Sequence, residues 1–129
     1  MGYYISKIVN NQSFEDSINK VAGLLKEQGF GIITEIDVKD TMKKKLDVDF
    51  RRYKILGACN PVFAHKALQL EDKIGTMLPC NVIVQELENG TIEVAAINPK
   101  ASMSAVDNMQ LAEISGEIQE RLQQVIEKL

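Results

Sequence analysis

No apolar run in this 129-residue chain approaches the ~20 residues needed to cross a bilayer. Met1-Gly2-Tyr3-Tyr4 also lacks the basic-then-apolar layout of a signal peptide, so a cytosolic protein with no membrane partner is expected. An excess of positive charge is missing too. The net charge of −3 argues against a nucleic-acid partner, because polyanion affinity rests on Lys and Arg neutralising phosphates. There is no phosphate-cradling glycine loop, no serine elbow and no pair of carboxylates in a recognisable catalytic setting. Cysteine occurs twice and histidine once, too few for the closed four-ligand set of a structural zinc site.

What is present is an ordinary globular balance, 45% hydrophobic and 26% charged, at a length that fits a single domain over residues 1–129. The charge is uneven. Between Lys39 and Lys54, seven basic residues face three aspartates, which reads as a solvated helix face and strand edge more readily than as an anion patch.

Periodicity divides the chain into alternating elements. Tyr3 to Val9 reads as a strand. Ser13 caps a helix whose apolar face is Phe14, Ile18, Val21, Ala22 and Leu25, and Gly29 stops it. Phe30 to Ile36 is a second strand, with Ile32, Thr34 and Ile36 on one face. A short lysine-rich helix follows an Asp37 cap. Phe50 to Ala58 is a third strand, with Tyr53, Ile55 and Gly57 on one face, and it runs straight into Cys59. Asn60 caps a helix that begins at Pro61, where a missing N–H costs nothing. Glu71 to Pro79 has no period and reads as a loop. Cys80 to Leu87 and Thr91 to Ile97 flank Asn89-Gly90 and so form a hairpin. Past Pro99 and a small-residue linker, Leu111, Ile114, Ile118, Leu122, Val125 and Leu129 mark one long C-terminal helix. The order β-α-β-(α)-β-α-β-β-α predicts an α+β fold, a mainly antiparallel five-stranded sheet with helices packed on one face.

If the long helices cover the face bearing Ile5, Ile32, Val82, Val84, Ile92 and Val94, the other face still presents Tyr4, Ile8, Ile33, Ile83, Leu87 and Ile97. That is too apolar for a wetted surface. It predicts a homodimer through this face or a hydrophobic cavity against it.

The chemistry-bearing residues gather in two Cys-Asn steps, Gly57-Ala58-Cys59-Asn60-Pro61 and Met77-Leu78-Pro79-Cys80-Asn81-Val82. If their strands are antiparallel, Cys59 and Cys80 meet at one edge of the sheet; if parallel, the thiols lie ~17 Å apart. Cys59, Asn60, Leu78, Cys80 and Asn81 are the expected ligand-binding set. A soft divalent metal would use Cys59 and Cys80. His65 is a poorer third ligand, because at about 100° per residue it falls on the polar side of its helix beside Lys66 and Gln69. As catalytic groups, Cys59 would be a nucleophile activated by the following helix N-terminus and Cys80 its resolving thiol. Against both stands a structural role, with buried cysteines and with Asn60 and Asn81 holding a cap and a turn.

Tyr53 to Pro61, with Ala64 and Ala67-Leu68, and then Ile74 to Val84, resemble the bacterial and archaeal family catalogued as domain of unknown function 302. The resemblance runs over most of the chain. It implies a small α+β fold of the TATA-binding-protein-like class, a stand-alone intracellular domain that self-associates, with no activity or cofactor to carry over. The reading that follows is a binding module for a small ligand or soft metal near Cys59 and Cys80. The alternatives are a thiol-dependent enzyme or redox protein and a structural or interaction domain.

Overall fold

The computed structural model describes residues 2–129. Five strands, β1 (Tyr4–Val9), β2 (Gly31–Asp37), β3 (Tyr53–Cys59), β4 (Cys80–Glu86) and β5 (Ile92–Ile97), form one sheet ordered β1-β5-β4-β3-β2. Every neighbouring pair is antiparallel, so the sheet is wholly rather than mainly antiparallel. The helices are α1 (Phe14–Glu27), α2 (Val38–Leu46), α3 (Pro61–Leu70), α4 (Pro99–Ser102) and α5 (Met109–Glu127). None of the described helices is long and apolar enough to cross a membrane.

The helix starts follow local chemistry. Ser13 Oγ accepts the Asp16 N–H, an Asp37 carboxylate oxygen accepts that of Asp40, and Asn60 Oδ1 accepts that of Phe63. Each satisfies an amide that the helix itself leaves open. Helices α1 and α5 lie on one face of the sheet. Val21 and Leu25 from α1 and Leu122 and Val125 from α5 close over Leu56, Val82, Val84 and Val94, all essentially without solvent exposure. Lys7, on the edge strand β1, donates to the Glu127 and Leu129 carbonyls at 3.1 and 2.6 Å. It fixes the end of α5 to the sheet and complements the negative pole of the helix.

Four details differ from the sequence reading. The segment read as a loop contains a 3₁₀ helix, Asp72–Met77, organised by burial of Ile74 against Ala67, Met103 and Leu111. The linker contains α4, capped by Asn98 with Pro99 at its first position. In the hairpin only Gly90 takes a positive φ, +82°; Asn89 instead accepts the Thr91 N–H and hydroxyl through its side chain. In β2 a bulge between Ile32 and Thr34 switches faces. Ile32 pairs with Ala58 on the helix side, whereas Thr34 and Ile36 pair with Gly57 and Ile55 on the other, and Ile33 falls in the irregularity.

The lysine-rich helix α2 buries none of its residues. Its charges are partly matched locally, Lys43 to Asp47 and Lys44 to Asp40 at 2.9 Å each. It does not cover the sheet's second face: Tyr4, Ile8 and Ile36 stay 46%, 42% and 48% exposed.

Because Leu122 is fully buried between α1 and the sheet, Leu122→Ala should lower the unfolding free energy by about 2 to 5 kcal/mol in urea titrations followed by circular dichroism. A loss below ~1 kcal/mol would mean that α5 does not anchor this core.

Candidate functional site

Antiparallel pairing of β3 with β4 brings the end of one to the start of the other, with Ala58 opposite Cys80 and Gly57 opposite Asn81. The two Cys-Asn steps therefore share one corner of the sheet. They do not share one face. Cys80 and Ala58 point into the helix layer, whereas Asn81 and Gly57 belong to the open side. A side chain at Gly57 would collide with Thr34 Oγ1 and come within 2.8 Å of Pro79 Cγ, which lies over this position.

Cys59 and Cys80 border a common crevice with Phe63, Ala67, Leu78 and Met103. Its volume is about 20 Å³, room for about one water molecule and not for an organic ligand. Both thiols are free, Cys80 buried and Cys59 half-buried. Burial, and after it the neighbouring Cys59, pushes the Cys80 thiol up to about 11. It is neutral at physiological pH, which disfavours it as a resolving thiol.

Asn60 ties three elements together. It is buried, its Oδ1 caps α3, and its Nδ2 donates to the Gln28 carbonyl at 3.5 Å. The same carbonyl accepts a 3.0 Å hydrogen bond from Arg121, whose guanidinium lies 5.1 Å from the Phe63 ring centroid. Gly29 has φ +86°, and a Cβ there would sit 3.0 Å from Asn60 Nδ2. The turn after α1, the start of α3 and the middle of α5 are thus tied together. At the helix N-terminus Pro61 has no N–H and that of Phe63 is taken by Asn60, which leaves the Val62 N–H open. Leu78 is half-buried in the small core formed by Ala67, Ile74, Met103 and Leu111. His65 is exposed on α3, and no cluster of three or more His, Cys, Asp or Glu among the described residues could hold a metal ion.

The larger feature lies on the open side of the sheet. A shallow groove of about 350 Å³ has Ala95 and Ile83 in its lining, with Tyr4, Tyr53 and Ile97 around them. Across one end runs the row Glu93, Gln85, Tyr53, paired strand to strand. Gln85 Nε2 donates to Glu93 at 2.7 Å, and Arg51 Nε donates to Gln85 Oε1 at 2.7 Å. Arg51 lies over Phe50 and Tyr53, with its guanidinium carbon 4.5 and 5.5 Å from the ring centroids. Among the described residues neither Arg51 nor Glu93 has an ion-pair partner. Sequence reading found this face through Tyr4, Ile8, Ile83 and Ile97 but missed Arg51, Tyr53, Gln85 and Glu93. Strand alternation alone places Gln85 with Ile83 and Glu93 with Ala95, and that was the available signal.

The geometry makes Cys59 the accessible thiol. Iodoacetamide at pH 8 should modify Cys59 in the native protein and leave Cys80 until the chain is unfolded, as read by peptide mass spectrometry. The pH dependence has a definite sign. The Cys80 thiol is neutral in both states below its ordinary value of 9.0, whereas between 9.0 and about 11 only the unfolded chain releases the proton. Stability should therefore fall as pH rises through that window, by on the order of 2 to 3 kcal/mol. Cys80→Ala should flatten this part of the curve. Parallel curves for the two proteins would remove Cys80 as the cause.

The family model described as "Domain of unknown function DUF302" matches residues 5–129. Among solved structures, that of an uncharacterized conserved DUF302 protein from Bacillus stearothermophilus is similar over 97% of this chain and 96% of its own, with a TM-score of 0.88 and 27% identity. Comparison with curated proteins finds no match. A family match over nearly the whole length and the same fold in a related protein lead to one conclusion: the chain belongs to the DUF302 family.

Proposed function

We propose that this DUF302 domain is a binding module that works as a homodimer, with a second copy of the chain seated on the open face of the sheet. The observation that carries this reading is the extent of the uncovered apolar surface. It reaches from Tyr4 and Ile8 on one edge strand, through Ile97, Ala95, Ile83 and Ile55, to Ile36 on the other. Strands ~4.8 Å apart, six or seven residues long at ~3.3 Å each, make a face of roughly 500 Å² in flat projection. Side-chain relief brings that toward the about 800 Å² that each partner contributes to a standard interface. An occupant of the groove alone would leave Ile8 and Ile36 in water.

A small ligand or soft metal held at Cys59 and Cys80, or Cys59 acting as nucleophile with Cys80 resolving, has less support. The crevice between them takes about one water, and only two donor atoms among the described residues converge there.

Sedimentation velocity is expected to give a particle of two chains at micromolar concentration. Ile83→Glu, which places a charge in the middle of the open face, should convert it to a monomer with an unchanged far-ultraviolet spectrum. A wild-type protein that sediments as one chain at every concentration would refute the homodimer.

A further inference from the structure

We infer that the two copies meet about a twofold axis running along β4, so that Arg51 of each copy pairs with the partner's Glu93. This rests on the homodimer proposed above and adds its register.

β4 is the middle strand of five, with β3 on one side and β5 on the other. A twofold axis parallel to β4, lying between two stacked sheets, keeps position along the strands and reverses order across them. β3 of one copy then lies over β5 of the other. Arg51 stands on the β3 side, anchored through Nε to Gln85, and its terminal guanidinium nitrogens have no ion-pair partner among the described residues. Glu93 stands on the β5 side, accepts from the same Gln85, and likewise has no cation. Within one chain Gln85 separates them, because β3 and β5 are two strand spacings, ~10 Å, apart. The half-turn brings each charge opposite its complement in the other copy. An isologous interface makes the contact twice.

The same turn puts Ala95 opposite the partner's Ile55 and Ser6 opposite the partner's Ile36, small against large, as two inner faces ~10 Å apart require. An in-plane axis perpendicular to the strands does neither. It sets β5 over β5 and runs the strand ends past each other, leaving Glu93 and Arg51 covered without partners, which is the costly outcome for a desolvated charge. A small zwitterion lying between Arg51 and Glu93 of one chain would match both charges but would not cover Tyr4, Ile8 or Ile36.

Charge reversal tests this, with dimer dissociation constants from sedimentation equilibrium. Glu93→Arg and Arg51→Glu should each weaken the dimer about tenfold or more, and the double variant should recover most of the loss, since its pairs re-form with the signs exchanged. Glu93→Gln, which keeps the Gln85 contact and the shape, guards against a folding defect and should weaken the dimer to a smaller degree. If Ile83→Glu dissociates the protein while the charge variants leave the constant unchanged, the register is overturned and the homodimer stands. Single losses that add in the double variant overturn the pairing as well. A monomeric wild type overturns both readings. So does a single chain carrying a bound small molecule in native mass spectrometry.

Discussion

Pairing Ala58 with Cys80 commits every side chain of β3 and β4 to a face, and most of the molecule follows from that register. Leu56, Val82, Val84 and Cys80 go inward beneath α1 and α5. Tyr53, Ile55, Asn81, Ile83 and Gln85 go outward. A slip of one residue would exchange the two sets, exposing three of the most deeply buried aliphatic residues and burying Asn81 and Gln85. The strand order puts β4 at the centre of the sheet, with Arg51 and Glu93 on either side of it.

The corner that this register builds is closed between the two thiols, while Leu78, Cys80 and Asn81 also border a cavity of about 260 Å³ with Met77, Pro99 and Met103. Asn60 satisfies the first turn of α3 and, with Arg121, the Gln28 carbonyl; Gly29 leaves the space that Asn60 fills; Leu78 and Met103 shut the crevice beside Cys80. Asn60 and Arg121 are spent on holding elements together, whereas the Asn81 side chain is exposed on the other face. No described side-chain nitrogen or oxygen is buried without a hydrogen-bond partner. The open face is different. Its apolar residues lack a covering layer, and Arg51 and Glu93 have no ion-pair partner among the described residues.

Much of the fold was legible because the signals were local. Ser13, Asp37 and Asn60 cap the helices that periodicity placed after them, and alternation sorted Ile5, Val82, Val84 and Val94 from Tyr4, Ile83 and Ile97 onto opposite faces. The β2 bulge was not legible, because an extra residue in an edge strand leaves no mark on composition, and it sent Thr34 and Ile36 to the open side. The Asp72–Met77 turn forms through tertiary burial of Ile74, which a six-residue window does not reveal. Helix α4 had a readable sign, since Asn98-Pro99 repeats the Asn60-Pro61 start. At the candidate site, spacing left both strand directions open, and the antiparallel pairing of β3 with β4 is what brings the two Cys-Asn steps to one corner. Alternation along β4 already places Asn81 on the face away from Cys80; how little space the thiols share was not legible, because it depends on the register and on side chains from α3 and α5.

The account stands or falls on what covers Ile83. In a sample mixing isotope-labelled with unlabelled chains, isotope-filtered nuclear Overhauser spectroscopy reports only contacts between copies. Cross-peaks joining Ile83 to the partner's Ile83, and Ala95 to the partner's Ile55, are the predicted result. Cross-peaks confined to other surfaces, or none from these methyl groups at concentrations where two chains are associated, would contradict it.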